Sequence, residues 1–100
     1  MLADFSIMPV GKGESLSKFV APAVGLIVKS GLPHHVGPMS TAVEGDWDQI
    51  MTLIKKCRDK MLDSCNRVVI SIKIDDRKGA KNMITAKLKS IEQKLGKSLD

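Results

Sequence analysis

Gly37-Pro38-Met39-Ser40-Thr41-Ala42-Val43-Glu44-Gly45 reads as the bend of a β-hairpin that carries one carboxylate, Glu44, which no local pattern needs. The bend divides the chain into two similar halves. Before it come an apolar strand candidate, Ala3 to Val10, and a helix, Ser15 to Ser30; after it come a helix, Asp46 to Asp63, and another apolar strand candidate, Arg67 to Ile74. With a further helix after Gly79, the order β-α-β-β-α-β predicts an α+β, ferredoxin-like sandwich plus a C-terminal helix. Helices then pack on one sheet face and leave the other open.

Working outward, the first strand alternates Ala3, Phe5 and Ile7 with Asp4, Ser6 and Met8, the period of a half-buried strand whose polar side faces away from the helices. Pro9 ends it, and Gly11-Lys12-Gly13 leads to Ser15 as a helix cap. Without the longer phosphate-loop spacing, that glycine pair is read as a connecting turn. The first helix places Leu16, Phe19, Val20, Ala23, Val24, Ile27 and Val28 in one stripe. Pro22 inside it predicts a kink or a loose first turn, and Gly31 suits a left-handed cap. In the hairpin, which turns around Met39 to Thr41, Val43 is expected to face the core and Ala42 and Glu44 the open side. Adjacent His34 and His35 point to opposite faces and cannot jointly chelate a metal.

Asp46 and Gln49 form a capping-box pattern before a helix whose buried side is expected to hold Trp47, Ile50, Met51, Ile54, Cys57 and Met61. The last strand alternates Val68, Ile70, Ile72 and Ile74 with Val69, Ser71, Lys73 and Asp75. Ala80, Ile84, Lys87, Leu88, Ile91 and Leu95 give the third helix a narrow stripe, fit to cover a sheet edge or a neighbouring subunit.

One hundred residues, 43% of them apolar, suffice for one domain spanning 1–100 and leave no room for a second. No apolar run is long enough to span a membrane, and the first ten residues lack a basic leader and a cleavage site, so a cytoplasmic location is expected. Cys57 and Cys65 lack redox or zinc spacing and are read as reduced. The net charge of +5 admits a nucleic-acid partner, but its basic residues lie between apolar positions on helices, as on a solvated face.

Catalysis has little support, because no spacing identifies a Ser-His-Asp or Cys-His arrangement, paired carboxylates or a metal cluster; neither enzyme activity nor a cofactor is expected. The open face, mixing Asp4, Ser6, Met8, Glu44, Ser71 and Lys73, has a binding-site composition.

Ser6-Ile7-Met8-Pro9-Val10-Gly11, Ser30-Gly31-Leu32, the hairpin Pro38 to Gly45, and Arg67 followed by Ile72-Lys73-Ile74-Asp75-Asp76-Arg77 together resemble the small thiamine-binding-protein-like family. The likeness covers nearly the whole chain. It implies a ferredoxin-like dimer or tetramer that binds thiamine or a hydroxymethylpyrimidine-type compound without catalysis. Candidate ligand-binding residues are then Ser6, Met8, Met39, Thr41, Glu44, Ser71 and Lys73, with Glu44 orienting the ligand. The chain has no tyrosine, and Phe5, Phe19 and Trp47 are assigned to the core, so Met8 or Met39 would provide a soft apolar platform for a ring. The alternatives are a nucleic-acid-binding sheet, which would need stacking aromatics on the open face, and a structural or regulatory interaction module.

Overall fold

The computed structural model describes residues 1–11 and 17–96. They form β1 (Leu2–Pro9), α1 (Ser17–Lys29), β2 (His34–Val36), β3 (Thr41–Glu44), α2 (Trp47–Leu62), β4 (Val68–Asp75) and α3 (Met83–Leu95). The strands make one sheet in the order β2-β3-β1-β4, every neighbouring pair antiparallel. This is the ferredoxin-like arrangement with an added C-terminal helix. The Lys12-Gly13 turn, the Ser15 cap and Leu16 fall outside the described residues.

Register assigns the two faces. Ala3 pairs with Val43 and Ile74, and Phe5 with Thr41 and Ile72, so these side chains share the face under α1 and α2. Leu2, Asp4, Ser6 and Met8 pair with Glu44, Ala42, Ser71 and Val69 on the opposite face. The core joins Ala3, Phe5, Ile7 and Val43 to Ala23 and Ile27 of α1 and to Ile50, Leu53, Ile54, Cys57 and Met61 of α2. Each of its large side chains contributes about 1.5–3 kcal/mol by leaving water.

α2 begins with the capping box read from sequence: Gln49 N–H donates to Asp46 Oδ1 at 2.8 Å and Asp46 N–H to Gln49 Oε1 at 3.0 Å. Its buried stripe is 50, 53, 54, 57 and 61. Trp47 departs from expectation, being 58% exposed. It lies one turn before Ile50, at the first helical position. In α1, which runs on through Pro22, Val28 is likewise exposed, and Leu26 packs against the core instead. Gly31 takes the left-handed conformation expected after α1, with φ of 74°.

The hairpin bends slightly earlier than expected, at Gly37 to Ser40, where Gly37 N–H donates to Ser40 O at 2.9 Å. Thr41 already belongs to β3 and pairs with Val36. A Cβ at position 37 would lie 2.8 Å from Ser40 O, which explains the glycine there.

The face opposite α1 and α2 is not wholly open. Glu44 and Asp75, both on that face, hold α3: Glu44 accepts from the backbone N–H of Met83 and Ile84, and Asp75 pairs with Lys87. α3 therefore covers the end of the face near Leu2 and leaves Ser6, Met8, Ser71 and Val69 beyond it. None of its residues is fully buried, and Ile91 and Leu95 stay exposed.

Candidate functional site

β3 has four residues and β1 eight, so their pairing stops at Phe5 opposite Thr41 while β4 follows β1 to Pro9. From Ser6 onward, β1 has a strand neighbour on one side only among the described residues. The missing neighbour leaves a notch, roofed by α1 and flanked by the hairpin bend. It holds a cavity of about 350 Å³, lined by residues 5–8, by Val20, Ala23, Val24 and Ile27 of α1, and by residues 36–41. That volume suits a small molecule. The walls are mostly apolar, and Ser6, Ser40 and Thr41 supply the hydroxyls.

A smaller hollow of about 160 Å³ lies on the sheet face between Asp4, Ser6, Ser40, Ser71 and Lys73. The two hollows share Phe5, Ser6 and Ser40. Ser40 Oγ–H donates to Asp4 Oδ2 at 3.0 Å, tying the hairpin to β1 at this shared rim. The bond connects residues 36 apart in sequence.

Of the residues singled out from sequence, Ser6, Met8, Met39 and Thr41 line the larger cavity, and Ser71 and Lys73 join Ser6 around the smaller one. Met39, 89% exposed, stands at the tip of the bend, whereas Thr41 is buried on the core side and reaches the cavity from within. Glu44 is the exception. It lines neither hollow; its Oε2 accepts from Met83 N–H at 2.9 Å and its Oε1 from Ile84 N–H at 3.2 Å. The carboxylate caps α3, whose own cap residue Asn82 makes no side-chain bond to the helix. The ligand-orienting role expected for Glu44 is therefore corrected by this geometry.

Sequence reading passed over Ser40. Its position in a bend gave no signal that its hydroxyl would meet Asp4, whose place on the polar side of β1 was legible. A third hollow, about 560 Å³, lies between α1 and α2 among Lys29, Ser30, Asp48, Gln49, Thr52 and Lys56, and contains none of the expected site residues.

Neither cysteine offers a ready nucleophile. Burial pushes the Cys57 thiol up to about 11, and its Sγ lies 3.6 Å from Ala23 O. Cys65, also buried, donates to Met61 O at 3.1 Å. Among the described residues no group of three His, Cys, Asp or Glu side chains could hold a metal ion, and no helix is long and apolar enough to cross a membrane.

A family model described as thiamine-binding protein matches residues 3–92. The chain belongs to the thiamine-binding protein family. Within reach of this family, a UPF0045 protein of Methanocaldococcus jannaschii is 42% identical over 91 residues, 91% of either chain. The crystal structure of that protein, described as hypothetical, matches with a TM-score of 0.84 at 41% identity, over 92% of this chain and 95% of the other. A UPF0045 protein of Mycobacterium bovis is 32% identical over 96 residues, 95% of this chain and 94% of its own. A Thermotoga maritima protein, described as a candidate thiamine biosynthesis or salvage protein, shares the fold with a TM-score of 0.73 at 24% identity, over 95% and 94% of the two chains.

Proposed function

We propose that this chain binds a small heterocyclic ligand of the thiamine or hydroxymethylpyrimidine type, without catalysing a reaction, as a homo-oligomer. The observation that carries the reading is the cavity in the notch of β1. Its volume of about 350 Å³, apolar walls and few hydroxyls match the make-up of small-molecule sites. Met8 and Met39, with Phe5 in the wall, offer polarizable surface to a flat ring. Membership of the thiamine-binding protein family supports the choice of ligand.

Oligomer formation is supported by apolar surface that one subunit leaves uncovered. Ile72 and Ile74 on the edge strand β4 are 43% and 37% exposed, and Ile91 and Leu95 on α3 are 48% and 58% exposed. β4 is also eight residues long with its outer edge unpaired among the described residues, the kind of edge that association covers.

The test is calorimetric titration with thiamine and with hydroxymethylpyrimidine, accompanied by native mass spectrometry of protein purified from cells. Saturable binding of either compound to a dimer or tetramer is expected. Failure of both to bind at millimolar concentration would remove the ligand assignment, and a monomer at micromolar concentration would remove the oligomer.

A further inference from the structure

We propose that Asp4 is the carboxylate that recognises the ligand's amino-bearing or cationic ring, with Ser40 as the partner it exchanges for the ligand. This deepens the reading of a heterocycle bound in the β1 notch and rests on it.

Among the described residues three strand acids lie on the sheet face opposite α1 and α2, and two are committed. Both Glu44 oxygens accept from the N-terminus of α3, and Asp75 is paired with Lys87. Asp4 accepts one hydrogen bond, from the Ser40 hydroxyl, and its Oδ1 has no partner among the described residues. Lys73 stands opposite it in register yet forms no salt bridge with it. Asp4 is thus an exposed carboxylate with acceptor capacity left over, in the smaller hollow and one hydrogen bond from Ser40 on the rim the two hollows share.

The geometry divides the ligand in two. A ring seated against the apolar wall of the larger cavity can pass its polar edge between Ser6 and Ser40 to reach Asp4. There an ionised carboxylate accepts from an exocyclic amino group and opposes a positive ring, while the Ser40 hydroxyl, free to rotate, turns to accept or donate elsewhere. A neutral, amino-free analogue would gain from the apolar wall alone.

The variants Asp4→Asn and Ser40→Ala, titrated with thiamine by calorimetry and melted alongside the parent, separate recognition from scaffolding. Asp4→Asn is expected to weaken thiamine binding about ten-fold or more, the usual loss for a charge-assisted hydrogen bond. Ser40→Ala, which frees the carboxylate but removes a hydroxyl from the cavity wall, is expected to weaken thiamine binding far less than Asp4→Asn does. In the unaltered chain, the carbon-13 signal of the Asp4 carboxyl group should move on saturation, a readout that does not depend on any variant folding. Equal weakening by both variants would make Asp4 only a latch for the hairpin and overturn the proposal. So would unchanged binding by Asp4→Asn, with the heterocycle reading left standing. A parent that binds neither thiamine nor hydroxymethylpyrimidine overturns both.

Discussion

Glu44 and Met83 are separated by 39 residues, yet Glu44 Oε2 receives the Met83 backbone N–H at 2.9 Å and the same carboxylate takes the next amide, that of Ile84. A side chain at the end of β3 thereby supplies the cap that α3 lacks locally. Glu44→Gln removes the charge facing the helix N-terminus and is expected to cost about 1–2 kcal/mol. Amide exchange should show the loss concentrated in α3, with the protection of β1 and β3 amides nearly unchanged.

The second anchor of α3 responds to acid. The Lys87 ammonium, through its hydrogen bond and then its charge, holds the Asp75 carboxyl below its ordinary value of 3.8. A lowered folded-state pKa means that this contribution is fully present above the ordinary value and disappears as pH falls through the lowered one. Exchange of α3 amides, referenced to unstructured peptides, should therefore keep the same protection from pH 7 to pH 5. It should fall only below about pH 4. Replacing Lys87 by Met should remove most of that acid dependence, leaving the weaker pull of Arg77 and the chain's N-terminus.

Cys57 should be inert while the chain is folded. With its thiol pushed up to about 11, only about one molecule in a thousand carries the thiolate at pH 8. Burial further denies access. Iodoacetamide at pH 8 is expected to leave Cys57 unmodified in native protein and to label it fully in denaturant.

Ile50 and Met39 mark opposite ends of the burial scale, at 0% and 89% exposed. Ile50→Ala should cost about 2–5 kcal/mol through lost burial and the cavity it leaves. Met39→Ala should change stability by less than about 0.5 kcal/mol, as surface substitutions do. If Met39 covers the ring as proposed, the same change weakens ligand binding several-fold, so denaturant melts and titration together distinguish its two contributions.

What the sequence made legible was local or periodic. The alternation of β1 assigned Ala3, Phe5 and Ile7 inward, and the spacing of Asp46 and Gln49 named a capping box that forms. Periodicity names a stripe but not its exact edges or its extent along the helix, so Val28 stands exposed while Leu26 packs against the core, and Trp47 stands exposed at the first position of α2. The same limit holds at β4, where α2 covers Val68 and Ile70 but not Ile72 and Ile74. The notch of β1 depended on a difference in strand length that a hairpin motif does not encode. Glu44 and Ser40 found partners 39 and 36 residues distant, contacts for which neither composition nor spacing carries a signal.

Binding of a heterocycle in the β1 notch can be followed residue by residue in backbone amide NMR signals as thiamine is added. Saturable shifts are expected at residues 5–8 and 36–41 and at the Ala23 to Ile27 turn of α1, with little change around Lys29, Thr52 and Lys56 in the larger hollow between the helices. Shifts centred on that second hollow, or none at saturating thiamine, would contradict it.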